Sequence, residues 1–293
     1  MAKTYLDESR HGLGVALILL SALSFSCMSL FVAMSSRIHL FEQTFFRNLI
    51  GLVIAAVFCR KNRVPLFGER KYQPQMFARS LCGFLAVVSI FYSSREANLA
   101  DMAIVLRTGM FTISIVSVLF LGEKLTRFHI PAMLIAFSGA WVAANPRFDS
   151  SALPLLAAFI SALCDTVCYP LLSYFSGRVN PMTVIMHSCT VSTVLAGVLM
   201  IPYFTVPAGI EIFHLLMIGI TAAIGQITMT YAYRMAAAGE LSVYNQSQIA
   251  FNALLSFLFL GQSIAPRTVI GGAMVLFASL LLYLSKQGAF SAK

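Results

Sequence analysis

Charged side chains are scarce in this sequence. Asp, Glu, Lys and Arg together make up 11% of 293 residues, while 59% are apolar and the mean hydropathy is +0.83. A water-soluble domain of this size cannot cover its surface with so little charge. Also missing are a glycine-rich phosphate loop, a His-Glu-x-x-His helix and a Gly-x-Ser-x-Gly turn. Their absence removes the usual sequence grounds for direct nucleotide coupling and for zinc or serine hydrolysis, so an enzyme is not expected. Strand-like alternation is lacking too. Continuous apolar runs take its place and argue for a helical bundle over a barrel. The six cysteines, among them Cys164 and Cys168, fall within or at the edge of apolar runs, where a thiol acts as a small buried hydrophobe. They predict neither a disulfide framework nor a metal site, and nothing in the sequence calls for a cofactor.

Ten apolar runs are present, near residues 12–34, 40–59, 79–94, 102–121, 130–144, 152–174, 181–203, 212–233, 241–260 and 268–285. A helix needs about 17–25 residues to cross about 30 Å of hydrocarbon. The fold class expected is therefore an all-α membrane protein with ten transmembrane helices. The first run is too long for a signal-peptide core and lacks a small-residue cleavage site, so it reads as a retained span. The formal charge of +9 does not mark a nucleic-acid surface, because the basic residues sit between the runs and not on one patch. Their distribution sets orientation instead. With both termini cytoplasmic, the inner segments collect Lys3, Arg10, Arg60, Lys61, Arg63, Arg70, Lys71 and Arg79. They also hold Lys124, Arg127, Arg178, Arg234, Lys286 and Lys293, against Arg37, Arg95, Arg147 and Arg267 outside. The expected location is a bacterial-type cytoplasmic (inner) membrane, with the lipid bilayer as partner.

The halves are copies of each other. A shift of 139 positions superposes Tyr92 on Tyr231, Arg95 on Arg234, Asp101 on Glu240, Thr108 on Ser247 and Ser117 on Ser256, and carries the run Leu119 to Gly122 onto Leu258 to Gly261. Earlier in each half a shift of 140 aligns Ser21-Ala22-Leu23 with Ser161-Ala162-Leu163. The units divide as 1–145 (spans 1–5) and 146–293 (spans 6–10). Each holds an odd number of spans, so the second enters the membrane from the opposite side. Inverted repeats of this kind let two halves exchange conformations and open a central site to each face in turn.

The segment from Phe91-Tyr92 through Asp101, followed by an apolar span and Leu121-Gly122-Glu123-Lys124-Leu125, resembles the repeat signature of the drug/metabolite transporter superfamily, EamA type. Its second copy runs from Tyr231 through Glu240 to Leu260-Gly261-Gln262, departing from the usual Gly-Glu ending at Gln262. The resemblance covers essentially the whole chain. It implies ten helices in two inverted five-helix EamA repeats and the import or export of small metabolites. Glu42, Phe45-Phe46-Arg47 and Arg79-Ser80-Leu81-Cys82-Gly83 resemble a subgroup taking amino-acid-like, cofactor or nucleoside-derived solutes.

A charge inside the bilayer costs at least about 2.5–3.5 kcal/mol and so needs a partner, a wet cavity or a function. Arg47 and Arg107 lie at similar depths, about 10 and about 8 Å from the outer ends of their spans. Two guanidinium forks in one layer suit a carboxylate or phosphate. The competing reading is a permanent pair, such as Arg47 with Glu42. Asp165, about 20 Å along its span, can bind a substrate ammonium, carry a coupling proton or neutralise an arginine, with Tyr169 one turn away on the same face. The repeat places His187 opposite Arg47 and Gln246 opposite Arg107, which makes His187 a second proton-coupling candidate. In the ninth span Asn245, Gln248 and Asn252 follow i, i+3, i+7, an amide stripe beside Tyr244, while Gln226 matches Asp165 in depth. Gly139, Gly271 and Gly272 allow close helix packing and a homodimer contact.

These features predict a secondary active or facilitative transporter of small polar or zwitterionic metabolites that works by alternating access. Arg47, Arg107, Asp165, Tyr169, Gln226, Tyr244, Asn245, Gln248 and Asn252 form its substrate site. The alternatives are proton-coupled efflux of lipophilic cations, with Asp165 as the recognition charge, and a membrane enzyme or scaffold that transports nothing.

Overall fold

The computed structural model describes residues 2–97, 99–123, 127–146, 151–261 and 266–286. Lys124, Leu125, Arg147, Gln262 and Lys293, singled out above, lie outside the described residues. The described chain is helical, with no strand among these residues. Its elements are α1 (Ala2–Met34), α2 (Leu40–Lys61), α3 (Gln73–Glu96), α4 (Leu99–Arg107), α5 (Gly109–Leu121) and α6 (His129–Ala144). The second half supplies α7 (Ala152–Tyr174), α8 (Pro181–Met200), α9 (Ile210–Ala232), α10 (Ala238–Tyr244), α11 (Gln248–Leu260) and α12 (Pro266–Lys286). Among the described residues, eight helical stretches are long and apolar enough to cross a membrane, and 129–144 is a shorter apolar helix.

The molecule wears its large apolar side chains on the outside. Phe120 is 80% exposed and Leu119 72%, whereas Ser21, Ser26, Thr44 and Ser117 are buried. Outward hydrophobes and inward small polar residues are what a lipid environment demands, because lipid tails solvate Leu and Phe as well as a protein core does. Several inward hydroxyls bond within their own helices, while Ser21 donates to the Gly225 carbonyl of α9 at 2.8 Å. Ser26 donates to the Ala22 carbonyl (2.9 Å), Thr44 to Leu40 (2.7 Å) and Thr190 to Met186 (2.8 Å).

Packing follows the internal duplication. Helix α1 runs along α9, and α3 runs along α7; exchanging the halves turns one contact into the other. Likewise α2 with α9 maps onto α8 with α3, while α2 with α8 and α6 with α12 map onto themselves. Small residues make the contacts close. A Cβ on Gly51 would stand 3.0 Å from the Cys189 sulfur, and one on Gly139 only 2.7 Å from the Gly271 carbonyl oxygen. The Gly139–Gly271 contact joins α6 to α12 inside one chain, so the close approach expected of these glycines is met within the monomer.

The structure departs from the sequence reading at two spans. The fourth predicted span bends at Thr108, between α4 and α5, and the ninth is interrupted by a 3-10 turn at Asn245–Ser247 between α10 and α11. Thr108 and Ser247 are the aligned pair of the repeat. The following segments also end alike: Gly122 (φ 66°) and Gly261 (φ 63°) adopt left-handed conformations, with their amides on the carbonyls of the aligned Ser117 and Ser256. Glycine suits such a stop because it lacks the Cβ that penalises positive φ. A run of apolar residues conceals such breaks, since hydropathy is blind to which carbonyl an amide meets.

Candidate functional site

The helices enclose a cavity of about 680 Å³ lined by residues of both halves, within the range of small-molecule sites. Arg47 comes from the middle of α2, Arg107 from the last residue of α4 before the bend, and Asp165 and Tyr169 from α7. Pro170 follows Tyr169 inside α7. Having no amide hydrogen, it removes one backbone bond next to the cavity. Gln226 enters from α9, Asn245 from the 3-10 turn, and Gln248 and Asn252 from α11. The predicted amide stripe therefore faces the cavity across a break and not along one helix.

Tyr244 and His187 stand elsewhere. The Tyr244 ring is 1% exposed and its hydroxyl donates to Glu240 Oε1 at 3.2 Å. His187 Nδ1 lies 2.8 Å from Ser80 Oγ, with Phe67 edge-on to its ring. Neither residue belongs to the cavity lining. A register argument places residues at a depth, but their direction depends on helix rotation, which neighbouring side chains decide.

A third cavity arginine went unrecognised in the sequence. Arg79 reads there as a cytoplasmic charge because it opens the apolar run; in fact α3 begins at Gln73, and Arg79 is 4% exposed within the bundle. It donates to Ser188 of α8, and the Cys168 thiol donates to its backbone carbonyl at 3.4 Å. Gln73, Pro74 and Gln75 look like loop residues, and Pro at the start of a helix is the signal that would have moved the boundary.

The cavity's electrostatics are lopsided. Arg79 is an electrostatic neighbour of both Arg47 and Asp165, and Arg107 of Asp165. Among the described residues, no carboxylate oxygen lies within 4.0 Å of any of these guanidinium groups. The Arg47–Glu42 pair of the competing reading does not form; Glu42 Oε2 accepts from the amide and hydroxyl of Thr205, each at 3.2 Å. The Nε atoms of Arg47, Arg79 and Arg107 are buried without an acceptor. In the same lining, Asn245 Oδ1, Gln246 Oε1 and Asn252 Oδ1 are buried without a donor.

Apolar flanks and a polar cavity shared by two repeats with paired broken helices define a multi-pass membrane protein. The chain matches the EamA-like transporter family over residues 12–144 and again over 152–284, and it belongs to that family. It is 28% identical to the pseudopaline exporter CntI of Pseudomonas aeruginosa over 94% of this chain and 97% of that protein. It is 21% identical to the S-adenosylmethionine uptake transporter of Rickettsia felis, over 99% of this chain and 97% of the relative. A solved crystal structure superposes with a TM-score of 0.82 at 17% identity, covering 94% of this chain and 98% of that one, a likeness of fold. The protein is thus a small-molecule transporter by family, not an enzyme.

Proposed function

We propose that the protein is a secondary carrier for small polar or zwitterionic metabolites. Ten membrane passages form two inverted five-helix units, 1–145 and 146–293, and alternate access to the central cavity. The chain sits in a bacterial-type cytoplasmic membrane with both termini inside. Arg47 and Arg107 hold the acid group of the solute, Asp165 meets its amine or carries the coupling proton, and Asn245, Gln248 and Asn252 supply hydrogen bonds. The observation carrying this reading is a cavity lined by both halves whose arginines have no carboxylate of the described residues within ion-pair range. Leaving buried ions unpaired costs several kcal/mol each, so the site favours a ligand that supplies the missing anion.

The relatives support solute movement without fixing its direction, since one is named an exporter and another an uptake transporter. Lipophilic-cation efflux is disfavoured by three arginines facing a single aspartate. The test is a thermal-shift screen of the purified protein against amino acids, nucleosides, vitamins, carboxylates and lipophilic cations. A ligand at about 100 times its dissociation constant stabilises by about 2.7 kcal/mol. An acid-bearing hit that is lost in Arg107→Ala supports the reading; a cationic hit that depends on Asp165 replaces it with efflux.

A further inference from the structure

Resting on that reading, we infer that the preferred solute carries net negative charge: an amino compound with at least two carboxylates, held between the three arginines and the Asn245–Asn252 wall.

Three guanidinium groups from three helices, α2, α3 and α4, line the cavity together with one carboxyl group. Asp165 neighbours Arg79 and Arg107 and offsets at most one positive charge. A zwitterion with one carboxylate and one ammonium brings no net charge and leaves the surplus in place. A second carboxylate reduces it, and a third removes it if the ammonium stays charged. Guanidinium forks on separate helices also favour separate acid groups over one compact anion, because each planar fork is satisfied by its own pair of oxygens.

The amine requirement comes from the other wall. Asn245 Oδ1 and Asn252 Oδ1 are buried acceptors with no donor, and Asp165 adds carboxylate oxygens to the same lining. A plain dicarboxylate offers these groups nothing to accept, whereas an ammonium or secondary amine does. The volume of about 680 Å³ leaves room for acid groups spaced several bonds apart.

Matched acid and amide pairs keep nearly constant shape while differing in charge, by one for glutamate against glutamine and by two for the dipeptides, so they isolate this feature. The purified full-length protein is titrated by thermal shift with glutamate against glutamine, Glu-Glu against Gln-Gln, and glutarate as the acid without an amine. The acid member of a pair should reach half-maximal stabilisation at a concentration lower by about tenfold or more, the worth of one charged hydrogen-bonded contact. Glutarate should fall behind glutamate, and R79Q should lower the acid-to-amide ratio. If R79Q does not insert, R107Q gives the same ratio test. Equal binding of acid and amide, an unchanged ratio in the variants, or hits confined to neutral polar solutes would each overturn the inference and leave the carrier reading standing. Failure of every solute class to bind or be moved would remove the carrier reading and this inference with it.

Discussion

His11 Nε2 stands 2.6 Å from Glu240 Oε1, joining α1 to α10 across 229 positions of sequence. The same carboxylate oxygen takes the Tyr244 hydroxyl, and the His11 ring stacks on Tyr283 of α12 at 6.0 Å. Three helices are thus tied at the short α10, which runs directly into the turn carrying Asn245. Tyr244, expected in the substrate site, serves this tie instead.

Removing the tie should loosen the bundle before it alters recognition. His11→Ala is expected to lower stability by about 1–3 kcal/mol and Tyr244→Phe by about 1 kcal/mol, the range for hydrogen bonds to charged and neutral groups. Melting curves in detergent check the order. Equal melting temperatures for both variants and wild type would show that the contact contributes nothing.

Glu123 makes a second link between the repeats. Its two carboxylate oxygens accept from the amides of Ala238 (2.8 Å) and Gly239 (3.2 Å), at the start of α10. A carboxylate there satisfies amides that have no partner within the helix and complements their positive end. Glu123→Ala should cost about 1–2 kcal/mol, and Glu123→Gln less, because the amide oxygen can still accept.

The glycine contact between α6 and α12 predicts a steep positional contrast. A Cβ at Gly271 would meet the Ala143 backbone nitrogen at 2.6 Å, while one at Gly272 finds only the Ala250 Cβ at 3.8 Å. Gly271→Ala should destabilise by about 1–3 kcal/mol or prevent correct assembly, and Gly272→Ala should be close to neutral. Size-exclusion profiles and melting temperatures of the two variants are the measurement. The left-handed stops give a paired test: Gly122→Ala and Gly261→Ala should each cost about 1–2 kcal/mol, because alanine is strained at φ 66° and 63°.

Much of this fold was legible because lipid imposes length and polarity on every span. The duplication was legible because Thr108 and Ser247, or Gly122 and Gly261, perform the same backbone task in each half. Arg47, Arg107, Asp165, Gln226 and the amides Asn245, Gln248 and Asn252 stood out as polar groups in apolar runs, and all reach the cavity lining. Arg79 did not stand out, since an arginine beside Gln73-Pro74-Gln75 reads as a boundary until its burial is seen. His187 shares a layer with the cavity groups but is turned towards Ser80, a rotation set by tertiary contacts that no spacing rule contains.

The most direct measurement is flux of an acid-bearing amino compound into proteoliposomes containing wild-type protein or Arg107→Ala, with insertion verified for both. Uptake or exchange by wild type that falls by about tenfold or more in the variant is the expected result, the loss of a charged contact. Unchanged flux in Arg107→Ala would place the acid group elsewhere and contradict the cavity as the solute's binding site.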